Sequence, residues 1–220
     1  LISDSTNRRT NCIVILAESL ESWVLEKEVE GQEITPYMNK LLKDSTTLYA
    51  PHVLTQVKGG RSIDAQLMLC TGLLPINSGT YSSQYPNHMT TARYTDKAIG
   101  KFVEYLKTLP QYKETLIVIT GDHEGLAYYR TELCESPGGK DIVSDKPFTP
   151  FIVVNSPVSM RYDKVMGQID MYPTLLNLLQ LDDYYWTGLG ESILTPNKKG
   201  FAVGSQMNVE GEGYTPEEVD

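Results

Sequence analysis

Short, uninterrupted apolar runs alternate along the chain with longer amphipathic segments. Runs rich in β-branched residues occupy residues 12–17, 116–120 and 149–155. A continuous apolar run of this length predicts a strand buried on both faces, as in a parallel sheet. Residues 46–50 predict a shorter strand, and residues 201–203 predict an edge strand near the end of the chain.

The segments between these runs predict helices. Residues 92–109 place their apolar side chains on one helical face and end before Pro110. Residues 35–43 begin with Thr-Pro, and residues 170–181 carry a proline in their first turn, which is typical of helix starts. This alternation predicts an α/β fold: a doubly wound, mostly parallel sheet with helices on both faces. We expect a small antiparallel part near the C-terminus.

Composition narrows the class of protein. The 220 residues suit a single domain, 1–220. A net charge of −9 argues against nucleic acid as the main partner. The three cysteines form no CxxC pair, which argues against a cysteine-based zinc site. We find no transmembrane run, and because the chain begins without an initiator Met, we expect a piece of a longer protein.

Polar residues follow two of the predicted strands at the point where each run ends. Glu18 comes directly after residues 12–17, and Asp122 and His123 follow residues 116–120 across Gly121. The carboxyl ends of neighbouring parallel strands meet at one edge of a sheet. Carboxylate and imidazole groups there indicate ligands for one cation. A solvated turn at Asp122, and a first-turn helical position for Glu18, are the plain alternatives.

Ser62 is the candidate nucleophile. It follows the pair Gly59-Gly60 and begins a helical pattern that contains Ile63 and Leu67. Free N–H groups and the helix dipole favour an anion at such a position. A hydroxyl placed there can attack a phosphorus or sulfur centre with the help of a metal. The alternative is that Ser62 is an ordinary helix N-cap.

Several ordered segments resemble the alkaline phosphatase superfamily, and in particular its sulfatase-like branch that contains the lipoteichoic acid synthases, which are phosphoglycerol transferases. The segments are spread across most of the chain, and their order and spacing are more specific than any one of them. They are residues 13–19 (IVILAES), 34–36 (ITP), 60–65 (GRSIDA), 94–100 (YTDKAIG), 118–123 (VITGDH), 149–151 (TPF) and 168–176 (QIDMYPTLL).

The resemblance implies an alkaline phosphatase-like fold and a role for each candidate residue. Glu18, Asp122 and His123 match the family's metal ligands, and Ser62 matches the nucleophile, which also contacts the metal. The resemblance implies a double displacement through a covalent seryl intermediate. Its ligand set of oxygens and one nitrogen suits Mn²⁺ or Mg²⁺, with Zn²⁺ or Ca²⁺ as alternatives.

The chain departs from the family pattern in two places. Sulfatases that use formylglycine carry Cys/Ser-x-Pro-x-Arg, whereas the segment that begins at Ser62 has neither the proline nor the arginine. Family members also carry a longer segment where this chain has only residues 81–92, and it holds a histidine that contacts the transferred phosphate. His88 is the only candidate for that histidine here, and with Arg61 it completes the expected substrate-binding residues.

Three readings follow from the resemblance. The first is a phosphoglycerol transferase or phosphodiesterase that acts outside the cytoplasm at the cell membrane, with a membrane anchor in the full-length protein. Its substrate would be a phosphate or sulfate ester, such as a glycerophospholipid or a glycan. The second is a sulfatase or phosphatase on the same fold. The third is a degenerate domain that keeps the fold and binds a ligand without turnover.

Overall fold

The computed structural model describes residues 9–57, 62–72, 88–125, 131, 134–135, 139–144, 146, 148–204 and 207–215. Within these residues the helices are α1 (Pro36–Leu42), α2 (Ser62–Thr71), α3 (His88–Lys107) and α4 (Met171–Leu178). The strands are β1 (Asn11–Ala17), β2 (Glu28–Val29), β3 (Gln32–Glu33), β4 (Leu48–Leu54), β5 (Thr115–Gly121), β6 (Phe148–Val154), β7 (Met160–Arg161), β8 (Met166–Gly167), β9 (Gly200–Val203) and β10 (Val209–Glu212). Short 3₁₀ helices lie at Ser22–Val24, Pro110–Glu114, Gly139–Asp141 and Gln168–Asp170.

In the part of the chain that the structure describes, the central sheet has the strand order β1-β5-β6-β4-β7, and β8 also pairs with β4. The pairs β1–β5, β4–β7 and β4–β8 are parallel, whereas β6 is antiparallel to both β5 and β4. Every strand except β6 therefore runs in one direction, which confirms the mostly parallel sheet. Pro150 of β6 faces the register shift between Ala50 and Val53, where a missing N–H is tolerated.

The two faces of the sheet are both covered, as predicted. One core layer joins the sheet to α1 and α3 through residues such as Met38, Val103 and Ile119. The other joins it to α2 and α4 through residues such as Leu69 and Leu175. Side chains that alternate along the strands supply both layers, because successive residues point to opposite faces.

The prediction that residues 12–17 are buried on both faces was wrong. Ala17 is buried, but Cys12 is exposed and Val14 is 42% exposed. The reason is the position of β1, which pairs with β5 on one side and has no strand partner among the described residues on the other. An apolar run alone does not distinguish an edge strand from a central one.

Helix α1 is capped by a residue from α3. Thr35 precedes α1 as predicted, but its hydroxyl donates to the Val24 carbonyl oxygen instead of capping the helix. The buried Asp96 carboxylate accepts the N–H groups of Tyr37 (3.0 Å) and Met38 (2.6 Å). Burial raises the pKa of Asp96, and these two hydrogen bonds oppose the shift.

Strands β9 and β10 form an antiparallel pair. This confirms the small antiparallel part near the C-terminus, and β9 contains the predicted strand at residues 201–203. Among the described residues no helix combines the length and the apolar character that crossing a membrane requires.

Candidate metal centre

Glu18, Asp122 and His123 converge on one point. One ligand atom from each side chain lies within 4.8 Å of the other two. The Nε2 atom of His123 is 3.1 Å from Glu18 Oε1 and 3.5 Å from Asp122 Oδ2. These are the residues that the sequence placed at the ends of two strands, and the fold brings them together across more than one hundred positions of chain.

The parallel pairing of β1 and β5 produces this convergence. Ala17 pairs with Gly121, so both strands end at the same level of the sheet. The Asp122 N–H then donates to the Ala17 carbonyl oxygen (3.3 Å), and the Ser19 N–H donates to Asp122 Oδ1 (2.8 Å). These two hydrogen bonds hold two turns from distant parts of the chain against each other.

Gly121 makes this close approach geometrically feasible. A Cβ at this position would overlap the carbonyl oxygen of Leu20 and would lie 3.0 Å from the methyl carbon of Thr149. The backbone that leaves β1 therefore crosses directly over the end of β5. Only a residue without a side chain fits under that crossing.

The ring of His123 has a defined orientation. Its Nδ1 atom lies 2.7 Å from the carbonyl oxygen of Glu124. A carbonyl oxygen only accepts, so Nδ1 carries a hydrogen, and Nε2 points toward the two carboxylates. Asp122 is 2% exposed and His123 is 3% exposed, whereas the Glu18 side chain is 71% exposed. The site therefore has a buried floor and opens to solvent at Glu18.

Ser62 contacts the cluster through Glu18. It is the first residue of α2, and its hydroxyl donates to Glu18 Oε2 at 3.2 Å. Its oxygen thus lies beside a carboxylate that also reaches His123. Arg61 and the side chain of His88 lie outside the described residues, as does most of the short stretch at 81–92.

Sequence reasoning missed the polar residues that support the site. Gln168 donates from Nε2 to the Asp122 carbonyl oxygen (2.8 Å), and Thr55 donates to the Glu124 carboxylate (2.5 Å). Glu21 is 5% exposed and accepts the Gly125 N–H at 2.6 Å. The only signal in the sequence for these residues is a polar side chain within a segment that is otherwise expected to be buried. Such a side chain needs a hydrogen-bond partner inside the protein.

The donor set fits a divalent cation. Two carboxylates and one imidazole nitrogen converge, and lone pairs at these distances repel one another unless a cation or a proton lies between them. Oxygen ligands with one nitrogen suit hard or borderline ions. The chemistry of these residues therefore agrees with a metal-assisted site that has Ser62 at its edge.

Comparison with known proteins identifies relatives of this chain. Residues 78–181 match the family model described as Sulfatase. Lipoteichoic acid synthase 2 of Bacillus subtilis is 34% identical over 300 residues, which covers 81% of this chain and 46% of that protein. The chain spans about half the length of the curated relatives that it matches.

Solved structures agree on the fold. The lipoteichoic acid synthase LtaP from Listeria monocytogenes has a TM-score of 0.74 at 14% identity and covers 92% of this chain and 79% of its own. The periplasmic domain of EptC from Escherichia coli, solved in complex with Zn, has a TM-score of 0.57 at 11% identity and covers 89% of each chain. This chain therefore carries a sulfatase-family segment at residues 78–181 on an alkaline phosphatase-like fold, and its sequence relatives include lipoteichoic acid synthases.

Proposed function

We propose that this chain is the catalytic domain of a metal-dependent phosphoglycerol transferase or phosphodiesterase that uses Ser62 as its nucleophile. The observation that carries the proposal is the 3.2 Å contact between the Ser62 hydroxyl and Glu18, which in turn lies 3.1 Å from His123. A hydroxyl nucleophile beside a cluster of candidate metal ligands is an arrangement that supports phosphoryl transfer.

Glu18, Ser62, Asp122 and His123 would hold the cation, for which Mn²⁺ or Mg²⁺ is the proposed identity. When bound, such an ion withdraws charge from the transferred group and makes a coordinated hydroxyl a stronger nucleophile. The buried Asp122 and His123 provide a fixed floor, and the exposed Glu18 faces the side from which an ester can enter.

The Ser62 oxygen forms a bond to phosphorus while the bond to the leaving alcohol breaks. The hydroxyl proton passes to the carboxylate that already accepts it, Glu18, or to solvent, and the departing oxygen takes a proton from solvent. An acceptor hydroxyl or water then displaces Ser62 from phosphorus, its proton passes to solvent, and the released Ser62 oxygen is protonated again by Glu18 or solvent. Two inversions give net retention, and the seryl ester is the covalent intermediate.

The substrate proposal rests on the relatives. Proteins named lipoteichoic acid synthase are similar to this chain over much of its length, which supports a glycerophospholipid donor and a lipid or glycan acceptor. The same similarity supports a setting at the cell envelope, outside the cytoplasm, with a membrane anchor in the full-length protein.

Sulfate ester hydrolysis is the second candidate, because the matching family model is the sulfatase one. The residues after Ser62 do not carry the formylglycine signature, so we favour phosphate chemistry with an unmodified serine.

A third candidate is a degenerate binding domain. It draws support from the alignment length: 300 residues exceed the 220 of this chain, so the relative carries residues inside the matched region that have no counterpart here. We propose residues 81–92 as the place of that difference.

The decisive experiment compares wild type, Ser62→Ala and Ser62→Thr with Mn²⁺, on a fluorescent glycerophospholipid, an aryl phosphate and an aryl sulfate. We expect turnover of the lipid by wild type, retention of some activity by Ser62→Thr, and a loss of at least about 10³-fold for Ser62→Ala. Mn²⁺ binding by Ser62→Ala should persist through Glu18, Asp122 and His123. Undiminished turnover by Ser62→Ala would refute the nucleophile, and aryl sulfate as the preferred substrate would favour the second candidate. Mn²⁺ binding without turnover of any ester would favour the third.

A further inference from the structure

A buried carboxylate, Glu21, contacts the turn that follows His123 but takes no part in the Glu18–Asp122–His123 cluster. Its side chain is absent from the group of ligand atoms that converge, which is made of Glu18, Asp122 and His123. Glu21 is nevertheless 5% exposed. A carboxylate buried to this extent is costly unless hydrogen bonds hold it, so its contacts indicate why the chain places it there.

Both oxygens of Glu21 accept hydrogen bonds. Oε2 accepts the indole N–H of Trp23, which is buried in the core layer beneath α1 and α3. Oε1 accepts the backbone N–H of Gly125 at 2.6 Å. Glu21 therefore links the segment that leaves β1 to the turn that leaves β5, and Trp23 anchors that link in the core.

The Gly125 N–H belongs to the same peptide group as the Glu124 carbonyl. That carbonyl oxygen accepts the Nδ1–H of His123 at 2.7 Å. One planar peptide unit thus contacts Glu21 on one side and the His123 ring on the other. Rotation of this peptide would break both bonds together, so the carboxylate that fixes the peptide also fixes the ring.

We propose that Glu21 is a positioning residue for His123 and acts through the Glu124–Gly125 peptide group. It holds the Nδ1–H tautomer and aims Nε2 at the metal position. A carboxylate on the N–H of a peptide also polarises its carbonyl, which strengthens the bond to Nδ1–H and makes Nε2 a better ligand. The inference rests on the proposed role of His123 as a metal ligand.

The chain offers a matched set of variants. In Glu21→Gln one acceptor becomes an NH₂ group, and two donors must then face each other, at either Trp23 or Gly125. Trp23→Phe removes the indole N–H while it keeps an aromatic ring. In the double variant Glu21→Gln/Trp23→Phe the amide oxygen is again free to accept from Gly125. The double variant therefore restores the hydrogen bond from the Gly125 N–H, although it does not restore the negative charge of Glu21.

We would measure the Mn²⁺ dissociation constant by calorimetry for wild type, both single variants, the double variant and Glu21→Ala. We expect Glu21→Ala to lose about 10- to 100-fold in Mn²⁺ affinity, and Glu21→Gln also to bind Mn²⁺ more weakly than wild type. The double variant should recover an affinity within a few-fold of wild type. Trp23→Phe alone should retain most of the affinity. Equal affinity in all variants, or a double variant as weak as Glu21→Gln, overturns the positioning role.

A second readout does not depend on metal. Nitrogen NMR of the His123 ring in the metal-free protein should report an Nδ1–H tautomer in wild type and in the double variant, and a mixture of tautomers in Glu21→Ala. A purely structural role would lower the urea midpoint and leave the tautomer unchanged, which also overturns the inference. If wild type binds no Mn²⁺ but the tautomer follows this order, the metal site fails and the positioning of His123 stands.

Discussion

The replacement of Gly121 by alanine is the most direct test of how the site is assembled. Gly121 is the last residue of β5, and the backbone of Leu20 passes directly against it. A Cβ there overlaps the Leu20 carbonyl oxygen, and it lies 3.0 Å from both the Leu20 carbonyl carbon and the Thr149 methyl carbon. The obstacle is backbone, so the clash is relieved only if the two turns move apart.

The size of the effect follows from this contact. Overpacking of a well-packed region typically costs about 1–3 kcal/mol of stability. The same movement separates Ser19 from Asp122, whose N–H···O distance is 2.8 Å, and so displaces the ligands relative to one another. Loss of such orienting contacts typically weakens metal binding by about 10- to 100-fold. Misplacement by about 1 Å can also cost about 10²-fold in rate.

The assay combines urea unfolding without metal and Mn²⁺ titration of the folded protein. Gly100→Ala serves as the control, because it adds the same methyl group at the α1–α3 contact, away from the metal ligands. We expect both variants to lose stability and only Gly121→Ala to lose Mn²⁺ affinity. If Gly121→Ala keeps wild-type stability and affinity, the close crossing of the two turns does not organise the site.

Three further predictions concern other parts of the molecule. Gly100→Ala should destabilise the fold in urea, since a Cβ there lies 2.6 Å from three atoms of Tyr37. Overpacking costs about 1–3 kcal/mol, and three contacts this short place the cost in the upper part of that range, above the roughly 1 kcal/mol gained in helix propensity. Stabilisation would contradict the packing of α1 on α3. Asp122→Asn should lower the metal content measured by elemental analysis after dialysis against Mn²⁺, and an unchanged content would count against its role as a ligand. Hydrogen bonds from the Thr46 hydroxyl (2.7 Å) and N–H (2.9 Å) lower the pKa of Asp44 below 3.8, so they stabilise the fold at neutral pH and this contribution is lost as the pH falls below that value. Thr46→Val should therefore raise the pKa of Asp44 in a carboxyl NMR titration, and no change would show that the backbone bond alone sets it.

The sequence by itself determined where the main strands β1, β5 and β6 lie and which polar residues follow β1 and β5. The apolar runs at β5 and β6 are local patterns, and burial imposes such patterns directly on residue type. Because ligands in α/β sheets collect at the carboxyl ends of strands, the same patterns identified Glu18, Asp122 and His123 as candidates. The local pattern offered Ser62 either as a nucleophile or as an ordinary helix N-cap, and the resemblance to a family favoured the nucleophile.

Only the tertiary structure decided how these parts meet. Strand order and direction depend on packing between segments far apart in the chain, so the edge position of β1 and the reversed β6 left no local mark. The same holds for Asp96, which caps a helix that ends more than fifty residues before it, and for Glu21, whose partner Gly125 lies more than one hundred residues away. A hydrogen bond between side chain and distant backbone depends on the geometry of the whole fold, because the backbone N–H is the same in every residue type except proline.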